Sequence, residues 1–237
     1  MTAEAGASDL ANDAPRRPPP PRWVLPTALV PMLGVLAMGW VAGAVWPTWF
    51  RTHPLGLILL SPINRFLLLT TNHLDFWSYF GAGLGRHLFP DPFFFLLGHY
   101  YGARALKWVS DGTPAARRIV GDHGEGLEDP AHRKILYPLA FFMPNNWVSL
   151  ICGAARFPVP VFVTLNVSGT IARLILCRWL GSVFESEIKS IADFIGDYQW
   201  AITAVSVVVV LIGMAVQLRP GGPISRLAHL DESPDFD

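Results

Sequence analysis

The chain has 237 residues, of which 51% are hydrophobic and only 15% charged, with acidic and basic side chains in equal number. About 25% charge is usual for a soluble domain, so the composition points to a membrane protein. A net charge of zero gives no footprint for nucleic acid as a partner. Cys152 and Cys177 lie in apolar stretches without CxxC or metal-ligand spacing, which predicts buried free thiols, no metal site and no cofactor.

In chain order, residues 1–22 are rich in Ala, Asp and Pro and include PRRPPPPR. They cannot build a core, and a disordered cytoplasmic N-terminus is expected. Residues 23–46 form a first span, longer than the ~7–15-residue core of a cleaved signal peptide. Residues 54–71, PLGLILLSPINRFLLLTT, are apolar at both ends and interrupted by Ser61, Pro62, Ile63, Asn64 and Arg65. Each apolar arm covers only ~10 Å as helix, too short for a ~30 Å hydrocarbon core. Residues 74–102 read as one long span kinked at Pro90-Asp91-Pro92. The pairs Gly39/Gly43, Gly81/Gly85 and Gly98/Gly102 offer small-xxx-small faces for close helix approach.

Residues 103–134 are polar, with six basic residues and turn signals at Gly112, Pro114 and Gly121. Residues 135–155 are apolar but broken by Pro144, Asn145 and Asn146. Residues 157–180 make a further span carrying Asn166, Thr170 and Arg173. Residues 182–198 place Val183, Phe184, Ile188, Ile191 and Ile195 at helical spacing, which predicts an interfacial amphipathic helix. Residues 199–218 form the last span, and 219–237 are a polar cytoplasmic tail.

Lysine and arginine set the orientation. With the N-terminus cytoplasmic, four spans and two re-entrant hairpins, at 54–71 and 135–155, keep the basic loop 103–134 inside and the acidic stretch 182–198 outside. The expected fold is therefore an all-α polytopic membrane domain over 23–218. It has about four transmembrane helices, two re-entrant hairpins in an inverted-repeat arrangement, and both termini cytoplasmic.

The two interrupted segments carry the same Pro-x-Asn break, at Pro62/Asn64 and Pro144/Asn146. Short, Pro-interrupted apolar segments in corresponding positions of two halves point to a transporter site. Broken backbone at membrane depth is tolerated only within protein or along a wet cavity. The asparagines are expected to bond backbone groups freed at the breaks. The competing reading of each segment is a complete but Pro-kinked span.

The stretch DPFFFLLGHYYG, 91–102, resembles the Asp-x3-aromatic-x2-Gly-x3-Gly signature of the DedA family, also called VTT or SNARE-associated membrane proteins. The stretch 141–181 resembles that family's second re-entrant segment and following span, through Phe142, Pro144, Gly153, Ala154, Arg156, Phe162, Asn166 and Gly169. The resemblance covers roughly residues 54–200. It implies a divergent member in the bacterial inner membrane, with membrane lipids as partners and a phosphate-bearing lipid, such as a phospholipid or undecaprenyl phosphate, moved between leaflets. A non-transporting scaffold or assembly factor of the same fold is the alternative, and a homo-oligomer is left open.

The candidate substrate-binding residues are Asn64, Arg65, Asp91, Asn145, Asn146, Asn166 and Arg173. Asn166, Thr170 and Arg173 fall at i, i+4 and i+7 and share one helix face. An intramembrane charge such as Arg173 marks function unless it snorkels to the interface. Asp91 is expected either to pair with Arg86, His87 or Arg173, or to cap the helix that begins at Pro92. Arg65 is a phosphate contact or an interface anchor. DGTPAAR, 111–117, nearly matches the start of a CDP-alcohol phosphotransferase motif, but Pro114 interrupts the helix that motif needs. No nucleophile–base pair stands out, and no enzymatic activity is expected.

Overall fold

The computed structural model describes residues 21–102, 105–106 and 130–219, and every described element is helical. The N-terminus up to residue 20, most of the basic loop and the tail from residue 220 lie outside these residues, as do the expectations attached to them.

The elements are α1 Val24–Thr52, α2 Pro54–Leu60, α3 Asn64–Thr70, a 3-10 turn Thr71–His73, α4 Phe76–Leu88 and α5 Asp91–Tyr101. After the loop come α6 Pro130–Phe142, α7 Asn146–Ala154, α8 Val159–Val183, α9 Glu185–Asp197 and α10 Gln199–Gln217. Three of them, α1, α8 and α10, are long and apolar enough to cross a membrane, with mean hydropathies of 2.0, 1.6 and 2.2. Together they suggest a membrane protein. None of the residues of α10 is buried within the chain, as expected of a helix whose solvent is lipid.

Both interrupted segments are broken helices. In each, a proline stands two positions before the first helical residue, which is an asparagine: Pro62 before Asn64 and Pro144 before Asn146. The residue between them is extended, Ile63 at φ −76°, ψ 153° and Asn145 at φ −151°, ψ 166°. Each proline has no N–H to continue the ladder, and it drives the residue before it out of the helical region, as Ser61 before Pro62 shows at φ −158°, ψ 108°.

Three expectations need correction. Residues 74–102 are not one kinked helix but two, α4 and α5, separated at Phe89 and Pro90. Each covers only ~16–20 Å at 1.5 Å per residue. Residues 130–134, read as loop, belong to the first turns of α6. The first helix also runs on to Thr52, beyond the expected end at residue 46.

The core has three parts. One gathers α5, α6, α7 and the N-terminal half of α1 around Leu97, Leu136, Leu150 and Val24. A second gathers α2, α3, α9 and the C-terminal half of α1 around Phe50, Leu57 and Phe66, and a third gathers α2, α3, α4 and α8 around Ile58, Tyr79 and Leu174. The first broken segment thus packs into the second and third clusters, and the second broken segment into the first. The ends of the elements meet in pairs. His73 closes the first broken segment, and its ring lies 6.4 Å from Phe50 in the turn of α1 that leads into that segment. Trp23 before α1 meets Tyr100 at the end of α5 at 6.1 Å. Tyr137 in α6 meets Phe157, just after α7, at 4.6 Å. α10 runs antiparallel to α1, with Trp46 Nε1 donating to Ser206 Oγ at 3.2 Å.

Glycines allow a close helix approach between α5 and α7. A Cβ on Gly98 would fall on the carbonyl oxygen of Leu150, and one on Gly153 on that of Phe95. Gly169 in α8 has the same relation to Phe141 in α6. Gly81 and Gly85 face open space instead, as does Gly39, while Gly43 lies 3.1 Å from a Val210 methyl group. On α4 the close approach is made by Gly83, which faces the Leu174 side chain. Gly102 serves a different purpose: it ends α5 at φ 48°, a conformation that costs a β-carbon dearly.

Candidate functional site

Polar side chains at the end of α4, at the two breaks and on α8 come together in one region. Arg86 and His87, at the end of α4, reach one break each. Arg86 donates from Nε to Leu59 O at 2.8 Å and from Nη2 to Leu60 O at 3.0 Å. These are carbonyls of the last turn of α2, left without intrahelical partners because the helix stops before Pro62. His87 Nε2 lies 3.0 Å from Pro144 O at the second break. Basic side chains on α4 therefore reach backbone carbonyls at both breaks.

The asparagines divide the work unevenly. Asn145 caps α7, its Oδ1 accepting from Val148 N at 3.0 Å, as expected for a break residue. Asn64 does not cap α3. Its Oδ1 accepts from Arg173 Nε at 2.7 Å, with the Cys177 thiol at 3.8 Å. Arg173 continues the chain of contacts, with Nη1 at 3.0 Å from His87 Nε2. Arg173 lies part-buried against the first break and α4. A continuous path of polar contacts thus runs from Asn64 through Arg173 and His87 to Pro144.

A cavity of about 350 Å³ lies along this path. Ser61, Pro62 and Ile63 line it from the first break, and Asn145, Asn146 and Trp147 from the second. Arg86, His87 and Pro90 add the junction of α4 and α5, Arg173 adds α8, and Val35 adds α1. Among the described lining residues there are two arginines and a histidine and no carboxylate. The volume falls in the ~300–1,000 Å³ range of small-ligand sites.

Asp91 belongs to a separate network. It is 2% exposed and pairs with none of Arg86, His87 or Arg173, nor does it cap a helix. Its Oδ2 accepts from Asn166 Nδ2 at 2.7 Å, and its Oδ1 from Ser149 Oγ at 2.9 Å. Ser149 Oγ is also 3.1 Å from Asn145 O. A serine hydroxyl has one hydrogen, so it serves these two acceptors one at a time. The network ties α5, α7 and α8 together behind the second break. The expected polar stripe on α8 is real and faces inward, but its members part company: Asn166 joins Asp91, Thr170 is buried at 1% exposure, and only Arg173 reaches the cavity.

Arg65 lies apart from the others. Its guanidinium stands 4.6 Å from the Phe66 ring centre and 5.8 Å from that of Trp46, against α1 and away from the cavity. Arg86, His87 and Ser149 are the site residues that sequence reasoning did not select. A basic pair inside an apolar stretch was a usable signal for the first two. Ser149 had none, because a lone serine in an apolar run is ordinary. Cys152 and Cys177 are buried free thiols, and among the described residues no His, Cys, Asp or Glu cluster could hold a metal ion. No family model, no curated protein and no solved structure matches the chain.

Proposed function

We propose that the chain is a divergent DedA-like membrane protein that moves a phosphate-bearing lipid between leaflets, with its headgroup carried through the cavity between the two breaks. The observation that carries this reading is Arg173. It is a permanent cation inside a membrane-length helix, it faces a cavity of ligand size, and no carboxylate among the described lining residues neutralises it. A guanidinium presents a fork of donors that suits phosphate oxygens.

The arrangement in the membrane belongs to the same proposal. α1, α4 with α5, α8 and α10 cross, and α2–α3 and α6–α7 are hairpins that enter and leave on one side. The pairing of His73 with Phe50, and of Tyr137 with Phe157, supports hairpins, since it brings the two ends of each broken segment to one level. Two opposed hairpins meeting at mid-membrane leave a short polar passage where a full helix would leave hydrocarbon.

The test is transbilayer movement of a fluorescent phosphate lipid in liposomes holding the purified chain, against protein-free liposomes. Movement above the protein-free rate is expected. A folded protein that gives none leaves the scaffold alternative in its place.

A further inference from the structure

His87 Nε2 makes two contacts that exclude one another. It lies 3.0 Å from Arg173 Nη1 and 3.0 Å from Pro144 O. A guanidinium nitrogen only donates and a carbonyl oxygen only accepts. Nε2 must offer a lone pair to the first and a hydrogen to the second, and a neutral ring nitrogen has one or the other. The ring therefore has two hydrogen-bonded forms. With hydrogen on Nδ1, it accepts from Arg173 and leaves Pro144 O without this donor. With hydrogen on Nε2, it donates to Pro144 O and turns an N–H toward Arg173.

We infer that His87 is a positioning residue that holds Arg173 when no anion is bound and releases it to an anion by turning its Nε2 hydrogen to Pro144. This rests on the anion reading of the cavity given above. Arg173 stays anchored to the first break through Nε and Asn64, so Nη1 and Nη2 are the groups an anion competes for. A phosphate oxygen at Nη1 displaces the His87 lone pair. The ring then gains by donating to Pro144, an acceptor the first form neglects. One hydrogen leaves Nδ1 and one joins Nε2 by exchange with water, so the ring's charge is unchanged. An anion can drive the change only by its preference for one form, which competition for Nη1 supplies. Arrival of the anion at the first break is thereby felt at the second. The other cation beside the ring, Arg86, is held by Leu59 and Leu60 and does not enter the exchange.

The experiment is ¹⁵N NMR of the full chain, labelled at histidine, in lipid nanodiscs, with inorganic phosphate as the probe. The His87 signals are assigned by their loss in His87→Gln, or in His87→Asn should the first not fold. Without phosphate, Nε2 is expected to report a lone pair. With phosphate it is expected to report an N–H. Arg173→Gln is expected to show the N–H form already, without phosphate. If phosphate binds through Arg173 and the His87 tautomer does not change, the inference fails and the anion reading stands. If phosphate does not bind, or binds equally to Arg173→Gln, the anion reading fails and takes the inference with it.

Discussion

Arg173 of α8 donates its Nε hydrogen to the Asn64 side chain of α3 at 2.7 Å, across 109 positions of sequence. The bond fixes a cation of a membrane-length helix beside the first break, with Nη1 turned toward His87. A double-mutant cycle of Arg173→Gln and Asn64→Ala, read by thermal unfolding in detergent, is expected to show a coupling of about 0.5–3 kcal/mol, the range for residues sharing one network. Additive losses would mean the two residues act independently.

The α5–α7 crossing depends on the absence of two β-carbons. Gly98→Ala and Gly153→Ala are each expected to lower stability by about 1–3 kcal/mol or more, because the new carbon meets backbone that cannot move aside. Gly81→Ala, which meets open space, is expected to be neutral or to stabilise by about 0.5–1 kcal/mol, as alanine suits a helix interior better. Midpoints of thermal unfolding for the three variants decide it. Equal losses at all three would contradict the packing described.

Asp91 offers two acceptors to a serine and an asparagine, while Ser149 has one hydrogen for two acceptors. Asp91→Asn supplies the hydrogen the network lacks. Its amide can donate to Ser149, which then donates to Asn145, while its oxygen accepts from Asn166. This variant is expected to be at least as stable as the wild type. Asp91→Leu strands buried polar groups and is expected to cost about 1–3 kcal/mol for each one left unpaired. A larger loss in Asp91→Asn than in Asp91→Leu would show that the carboxylate is held by something other than these two partners.

Topology is open to thiol labelling, with Cys152 and Cys177 replaced. Cysteines at His53 and His73, both exposed at the ends of the first broken segment, are expected to react with an impermeant reagent added outside intact cells. A cysteine at His123 in the basic loop is expected to stay protected. Opposite accessibility of residues 53 and 73 would turn the first segment into a full span.

Much of the architecture was legible because lipid imposes strong rules on sequence. Charge-free runs marked α1 and α10, and each Pro-x-Asn break marked a helix end to within a residue or two. The single-span reading of 74–102 failed because Pro90 and Pro92 were weighed as a kink. Pro92 fits the first turn of a helix, so it begins α5 and does not bend a longer one. The glycine pairs were read by spacing alone, which finds a face but not its partner, so Gly83 was passed over for Gly81 and Gly85. At the site, Arg173 and Asn64 were selected because polar groups in apolar helices need partners. Which partners they found was beyond reach, since Asn64 meets Arg173 and Asp91 meets Ser149 only after four helices have packed. Arg65, chosen for its place beside the break, points the other way because α3 turns it onto Trp46 and Phe66.

The most direct test of the central claim compares initial rates of phosphate-lipid movement, per folded protein, for the wild type, Arg173→Lys and Arg173→Gln in the same liposomes. If Arg173 accompanies the headgroup, glutamine removes the charge and the rate falls to near the protein-free level. Lysine keeps the charge but loses the fork, and its rate falls between the two. Equal rates for all three proteins would remove Arg173 from the passage and contradict the account.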